Sequence, residues 1–76
     1  MGTSILKQAI HENDVVELTQ TAAKVEGTGQ WLPGTKGTVV AEHSEHKLIE
    51  ISNDHGEALD YISQTEDQLK LITKHS

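Results

Sequence analysis

Valine, isoleucine and leucine alternate with polar residues in several short runs. "DVVELT" puts Val16 and Leu18 on one face and Val15 and Glu17 on the other. "GTVVAE" puts Gly37, Val39 and Ala41 together, and leaves Val40 on the opposite face. "KLIEIS" points Ile49 and Ile51 one way and Leu48 the other. "EALDYIS" reads as a returning strand, and "LKLI" as a last short strand with Leu69 and Leu71 inward. The pattern therefore predicts five strands around a core of Val16, Leu18, Val39, Ile49, Ile51, Leu69 and Leu71.

The punctuation between these runs is equally readable. The stretch from Gln20 to Gln30 is small and polar and predicts a long loop. Trp31 and Leu32 end it, as a lid folded back over one end of the core. In "LPGTKGTVV", Pro33 suits the second place of a tight turn and Gly34 the positive φ of a type II turn. Gly37 opens a strand where a side chain would crowd a neighbouring backbone. "HSEH" is a hairpin tip, and "NDHG" is a second tight turn with Gly56 left-handed. "TEDQ" is one helical turn capped by Thr65.

Five short strands with one helical turn before the last give an all-β chain, ordered as an SH3-like barrel. The barrel is expected over residues 14–73, with a tail at 74–76. Residues 1–13 form a separate N-terminal segment, read as a short helix or an extended arm. Ile5, Leu6 and Ile10 give that segment an apolar side that would cover outward aliphatics on the same barrel or on a partner.

Composition sharpens this picture. Seventy-six residues with 34% hydrophobic content and no phenylalanine allow one small aliphatic core of marginal stability. The absence of cysteine rules out disulfides. Twelve acids against six lysines, with no arginine, give a net charge of −6. That balance opposes binding to phosphate backbones and favours basic partners. No apolar run reaches the length of a membrane span, and the first residues lack the pattern of a secretory signal. The expected compartment is the cytoplasm, with neither nucleic acid nor membrane as partner.

Candidate chemistry is sparse. His43 and His46 stand three apart with Glu42 and Glu45, a set of zinc-capable side chains, but a solvated turn is the expected role. "SNDHGE" lacks the spacing of a calcium loop and reads as a hairpin. No nucleophile or phosphate-loop motif is present, so neither enzyme activity nor a cofactor or metal is expected. What remains is surface. Val15, Val40 and Leu48 fall outward by alternation, and Trp31 and Tyr61 are the two aromatics. These five residues form the expected interaction surface, for a protein partner or for a homodimer or higher homo-oligomer.

"DVVELT", "LPGTKGTVV", "LIEIS", "DHG" and "QLKLI" together resemble a family of small bacterial proteins of unknown function. The likeness runs from about Asp14 to Ile72, and its specific segment is Leu32 to Val40. Ile51 stands where the family pattern usually has phenylalanine. The resemblance implies an SH3-like barrel and no established activity. Some members are carried in mobile gene cassettes or lie beside toxin genes, which implies an accessory, immunity or antitoxin-like protein. The wider group sharing this glycine turn includes nucleic-acid-binding small barrels of the KOW type. That is the alternative function, and the acidic charge opposes it.

Overall fold

The structure, a computed structural model, describes residues 9–75. Strands β1 (Val15–Leu18), β4 (Lys36–His43), β5 (His46–Ser52), β6 (Ala58–Thr65) and β7 (Leu69–Thr73) form one antiparallel sheet in the order β6-β5-β4-β1-β7. The chain is all-β, with a 3₁₀ turn at Glu66–Gln68 just before β7. The last strand returns beside the first, the order of an SH3-like barrel. The sheet edges are β6 and β7. They are joined through the 3₁₀ turn, so the barrel is half open.

The long loop holds more structure than its composition predicts. Strands β2 (Ala22–Ala23) and β3 (Gln30–Trp31) pair within it, Ala22 opposite Trp31 and Ala23 opposite Gln30. Small side chains let the two arms approach closely, and Gly29 accepts the Lys24 N–H at its carbonyl.

The predicted core is largely what is buried. Val16, Leu18, Val39, Ile49, Ile51 and Leu69 all pack inside. Ile10, Ala22 and Ile62 join them. Leu71, expected inside, is only half-buried and packs against the core from outside. It lies opposite Val16 on β7, an edge strand, with no further strand to cover its other flank. Ala41 departs from the face of Gly37 and Val39. The β4–β5 ladder shifts register between Val39 and Ala41, so Ala41 lies opposite Leu48, and Glu42 opposite Lys47. One extra residue, Val40, reverses the alternation beyond it.

The turns follow the expected chemistry. Thr35 N–H donates to the Leu32 carbonyl at 3.1 Å across Pro33 and Gly34. Gly34 has φ +93° and Gly56 φ +80°, both in the left-handed region that glycine occupies freely. The Gln68 side chain accepts the Thr65 N–H at 2.9 Å and closes the 3₁₀ turn.

Gly37 answers to space, not to φ. A Cβ there would sit 2.5 Å from Ile49 Cγ2 and 2.8 Å from the Glu50 carbonyl oxygen. The second contact is backbone and cannot rotate away, so β4 and β5 would have to separate. Gly37→Ala is therefore expected to destabilise the fold by about 1–3 kcal/mol, as overpacked cores do. The midpoint of a urea titration measures this, and an unchanged midpoint would mean that the strands move apart at no cost.

Candidate functional site: two barrel ends closed by carboxylates

Among the described residues three charged ones are buried, Asp14, Lys47 and Asp60. Each occupies an inward position at a strand end, two residues from an apolar core residue: Val16, Ile49 and Ile62 respectively. Together they organise the two segments that close the barrel.

The first end is governed by Asp60, which lies opposite Ile51 in the β5–β6 ladder. Its Oδ2 accepts the Val25 N–H at 2.8 Å and the Trp31 indole N–H at 2.9 Å. Its Oδ1 accepts the Glu26 N–H at 3.1 Å and the Tyr61 N–H at 2.9 Å. Burial acts to raise the carboxyl pKa. The Trp31 indole and the three backbone amides outweigh it, and the group lies below its ordinary range. Lys24 Nζ rests 4.5 Å from the Trp31 ring centroid, a cation–π contact on the lid. The loop is thus pinned by one acid and shaped by one aromatic.

That pinning displays apolar side chains. Val25 is 66% and Leu32 65% exposed, and Leu59 and Tyr61 are also exposed. All four lie on or next to residues that meet Asp60: Val25 donates to it, Leu32 follows Trp31, and Leu59 and Tyr61 flank it. Tyr61 donates its hydroxyl to Glu50 Oε2 at 3.0 Å, and that hydrogen bond and charge push its pKa up.

At the other end, residues 9–13 cross the barrel. Ile10 is 2% exposed and belongs to the core. Three consecutive amides are taken by three carboxylates: Ile10 N–H by Glu66 at 3.0 Å, His11 N–H by Asp14 at 2.9 Å, Glu12 N–H by Glu42 at 3.1 Å. Lys47 Nζ lies beneath, 2.8 Å from Glu42 and 3.8 Å from Glu66. Its hydrogen bond, then the Glu12 amide, lowers the Glu42 pKa. Asp14 also accepts the His75 N–H at 2.7 Å and the Lys74 ammonium at 3.1 Å, so it ties the start of β1 to the chain after β7. The packed unit therefore runs past residues 14–73 on both sides. A shallow polar groove of about 650 Å³ adjoins this end, lined by Ser44, Glu45, Lys47, Thr65, Glu66 and Asp67.

The expected surface residues do not form one patch. Val15, Thr38, Glu50 and Tyr61 make a continuous cross-strand row on the outer face, with Leu48 in the next row opposite Ala41 and Ser63. Val15, Val40 and Leu48 are half-buried. Trp31 stands apart, turned inward to Asp60. Ile10 is inside the barrel and so does not cover the outer row, while Ile5 and Leu6 lie outside the described residues. His43 and His46 face each other across the β4–β5 tip and are exposed. Among the described residues no group of three or more His, Asp or Glu side chains is set to hold a metal ion. None of their helices is long and apolar enough to cross a membrane.

No protein-family model, no curated protein and no solved structure matches the chain.

Two outcomes follow from the acid-held ends. Asp60→Asn replaces one acceptor oxygen with a carboxamide NH2 that faces two N–H donors. A loss of at least about 2 kcal/mol is expected, with faster hydrogen exchange at Val25 and Glu26 and a red shift of Trp31 emission. Unchanged exchange at those two amides would mean that the loop is held elsewhere.

Asp14 is held at a pKa of about 2, first by the His11 amide and then by the His75 amide, against an ordinary value of 3.8. A depressed folded-state pKa contributes stability that is complete above the unfolded value and is lost as pH falls through the folded one. The urea midpoint should therefore drop between about pH 4 and pH 2. Asp14→Asn should be less stable at neutral pH and lose less on acidification. Parallel pH profiles for the two chains would contradict this.

Proposed function

We propose that this chain is a small acidic protein-interaction module with no catalytic activity of its own, acting through the loop platform around Asp60. The observation that carries the reading is the clamp itself. A polar eleven-residue loop would ordinarily be mobile, and ordering it on binding would cost affinity. Three hydrogen bonds to one buried acid, from the Val25 and Glu26 amides and the Trp31 indole, fix it beforehand, with Val25 and Leu32 held out in water. Rigid display of apolar groups is how interaction surfaces reduce the entropy lost on docking.

Charge selects the partner. Glu26 follows Val25, Glu50 lies beneath Tyr61, and the net charge is −6. The partner fitted to this surface carries lysine or arginine around an apolar centre. The family resemblance adds an accessory, immunity or antitoxin-like role in the cytoplasm, with a basic protein as target. The KOW-type nucleic-acid reading gains no support, because phosphate binding needs clustered cations and the platform is acidic.

Selection from a random peptide library on phage tests the proposal. Enriched peptides should pair basic residues with aliphatic or aromatic ones. They should bind the Val25→Asp, Leu32→Asp double variant at least tenfold more weakly. Failure to enrich any sequence, or equal binding to the double variant, would refute the platform. A duplex DNA probe in the same buffer should bind no tighter than about 10⁻⁴ M at physiological salt. Tighter binding would move the reading to nucleic acid.

A further inference from the structure

The segment at residues 9–13 closes the barrel with contacts that are nearly all distant in sequence. Ile10 fills a place in the core, its amide bonds to the 3₁₀ turn 56 residues away, and the Glu12 amide bonds to β4. None of these contacts requires that segment and barrel belong to the same chain. What makes them intramolecular is a single tight turn. Asp14 N–H donates to the His11 carbonyl at 3.1 Å, enclosing Glu12 and Asn13. Asn13, at the third place of that turn, has φ +76°. This is the position where type II turns ask for glycine, and where asparagine is the usual substitute. Asn13 is also exposed, so no side chain packs on it, and outside the turn its N–H donates to the Val39 carbonyl at 2.6 Å.

We infer that residues 9–12 exchange between two copies of this chain, the turn at Asn13 opening so that each copy's Ile10 closes the partner's barrel. Both states bury Ile10 and satisfy the Ile10 and Glu12 amides on the same carboxylates. They differ in the turn, which is strained in the closed form and released in the exchanged one. Short strained connections of this kind are where domain swapping begins. Opening the turn puts at stake the two His11–Asp14 bonds, one from the His11 N–H to the carboxylate and one from the Asp14 N–H to the His11 carbonyl, and the Asn13 N–H bond to the Val39 carbonyl. The occupant of the site is therefore a second copy, and the complementarity is already visible in the closed chain. The inference is independent of the loop platform, which lies on the Asp60 side.

Residue 13 sets the balance and gives the test. Asn13→Gly relaxes the turn and should weaken self-association. Asn13→Val opposes positive φ through its branched Cβ and should tighten the dimer at least tenfold relative to the parent chain. Sedimentation equilibrium over a concentration series measures both. In a dimer made from equal amounts of isotope-labelled and unlabelled Asn13→Val chain, isotope-filtered NOE spectra should connect the Ile10 methyls of one copy to core methyls of the other. A monomeric or unfolded Asn13→Val chain would overturn the inference. So would a dimer whose Ile10 contacts stay within one chain, or an Asn13→Gly chain that associates as strongly as the parent.

Discussion

A carboxylate taken out of water is tolerated only where donors replace the solvent it has lost. In this chain those donors are mostly backbone amides. Asp60 takes three of them and an indole, and Asp14 takes two with one ammonium. The rest of the structure depends on this exchange. A sheet of five short strands around nine buried apolar side chains, counted among the described residues, is open at both ends. The segments that cover those ends are polar or short and have little apolar surface with which to hold themselves down. Acids placed at the strand ends do it instead, by gathering N–H groups that the sheet leaves unused.

The arrangement also explains how an acidic chain without arginine keeps buried charge at all. The lysines could not pair every acid, and most acids remain at the surface. Lys47 is the one buried cation among the described residues, fixed between Glu42 and Glu66. Both acids also hold the crossing segment, so ion pair and backbone clasp share the same carboxylates. Burying Ile10 beside them contributes about 1.5–3 kcal/mol. That is a large share of the stability of so short a chain.

Much of the sheet was legible in the sequence, because period-two alternation and turn chemistry point the same way. Val16, Leu18, Val39, Ile49 and Ile51 could be placed by counting, and Gly34 and Gly56 by the turns that need them. Alternation failed where one residue was inserted. The bulge beside Val40 carries no mark in "GTVVAEH", and it moved Ala41 to the other face. The acid-held ends were harder to see, for a different reason. Counting back from Val16, Ile49 and Ile62 leads to Asp14, Lys47 and Asp60, so alternation does mark them as inward. Hydrophobicity argues the opposite, and their partners lie in loops without periodicity. Ile10 was missed because the turn between it and β1 broke the pattern that would have joined it to the core.

The pairing of Val15 with Thr73 places the entry of β1 beside the exit of β7. Asp14 then binds the backbone of His75 across that junction. Lys74 Nζ also reaches the Ala9 carbonyl at 3.3 Å, so the first and last described residues lie near each other as well. A unit with its two connections side by side can be spliced into an exposed loop of a larger protein without prising the host apart, and its own ends can be joined and reopened elsewhere. Traction applied through those two connections, by contrast, pulls on one end of the β1–β7 ladder. The carboxylate bonds to residues 10–12 and to His75 would give way first, and the β1–β7 ladder would then unzip, each hydrogen bond breaking in turn.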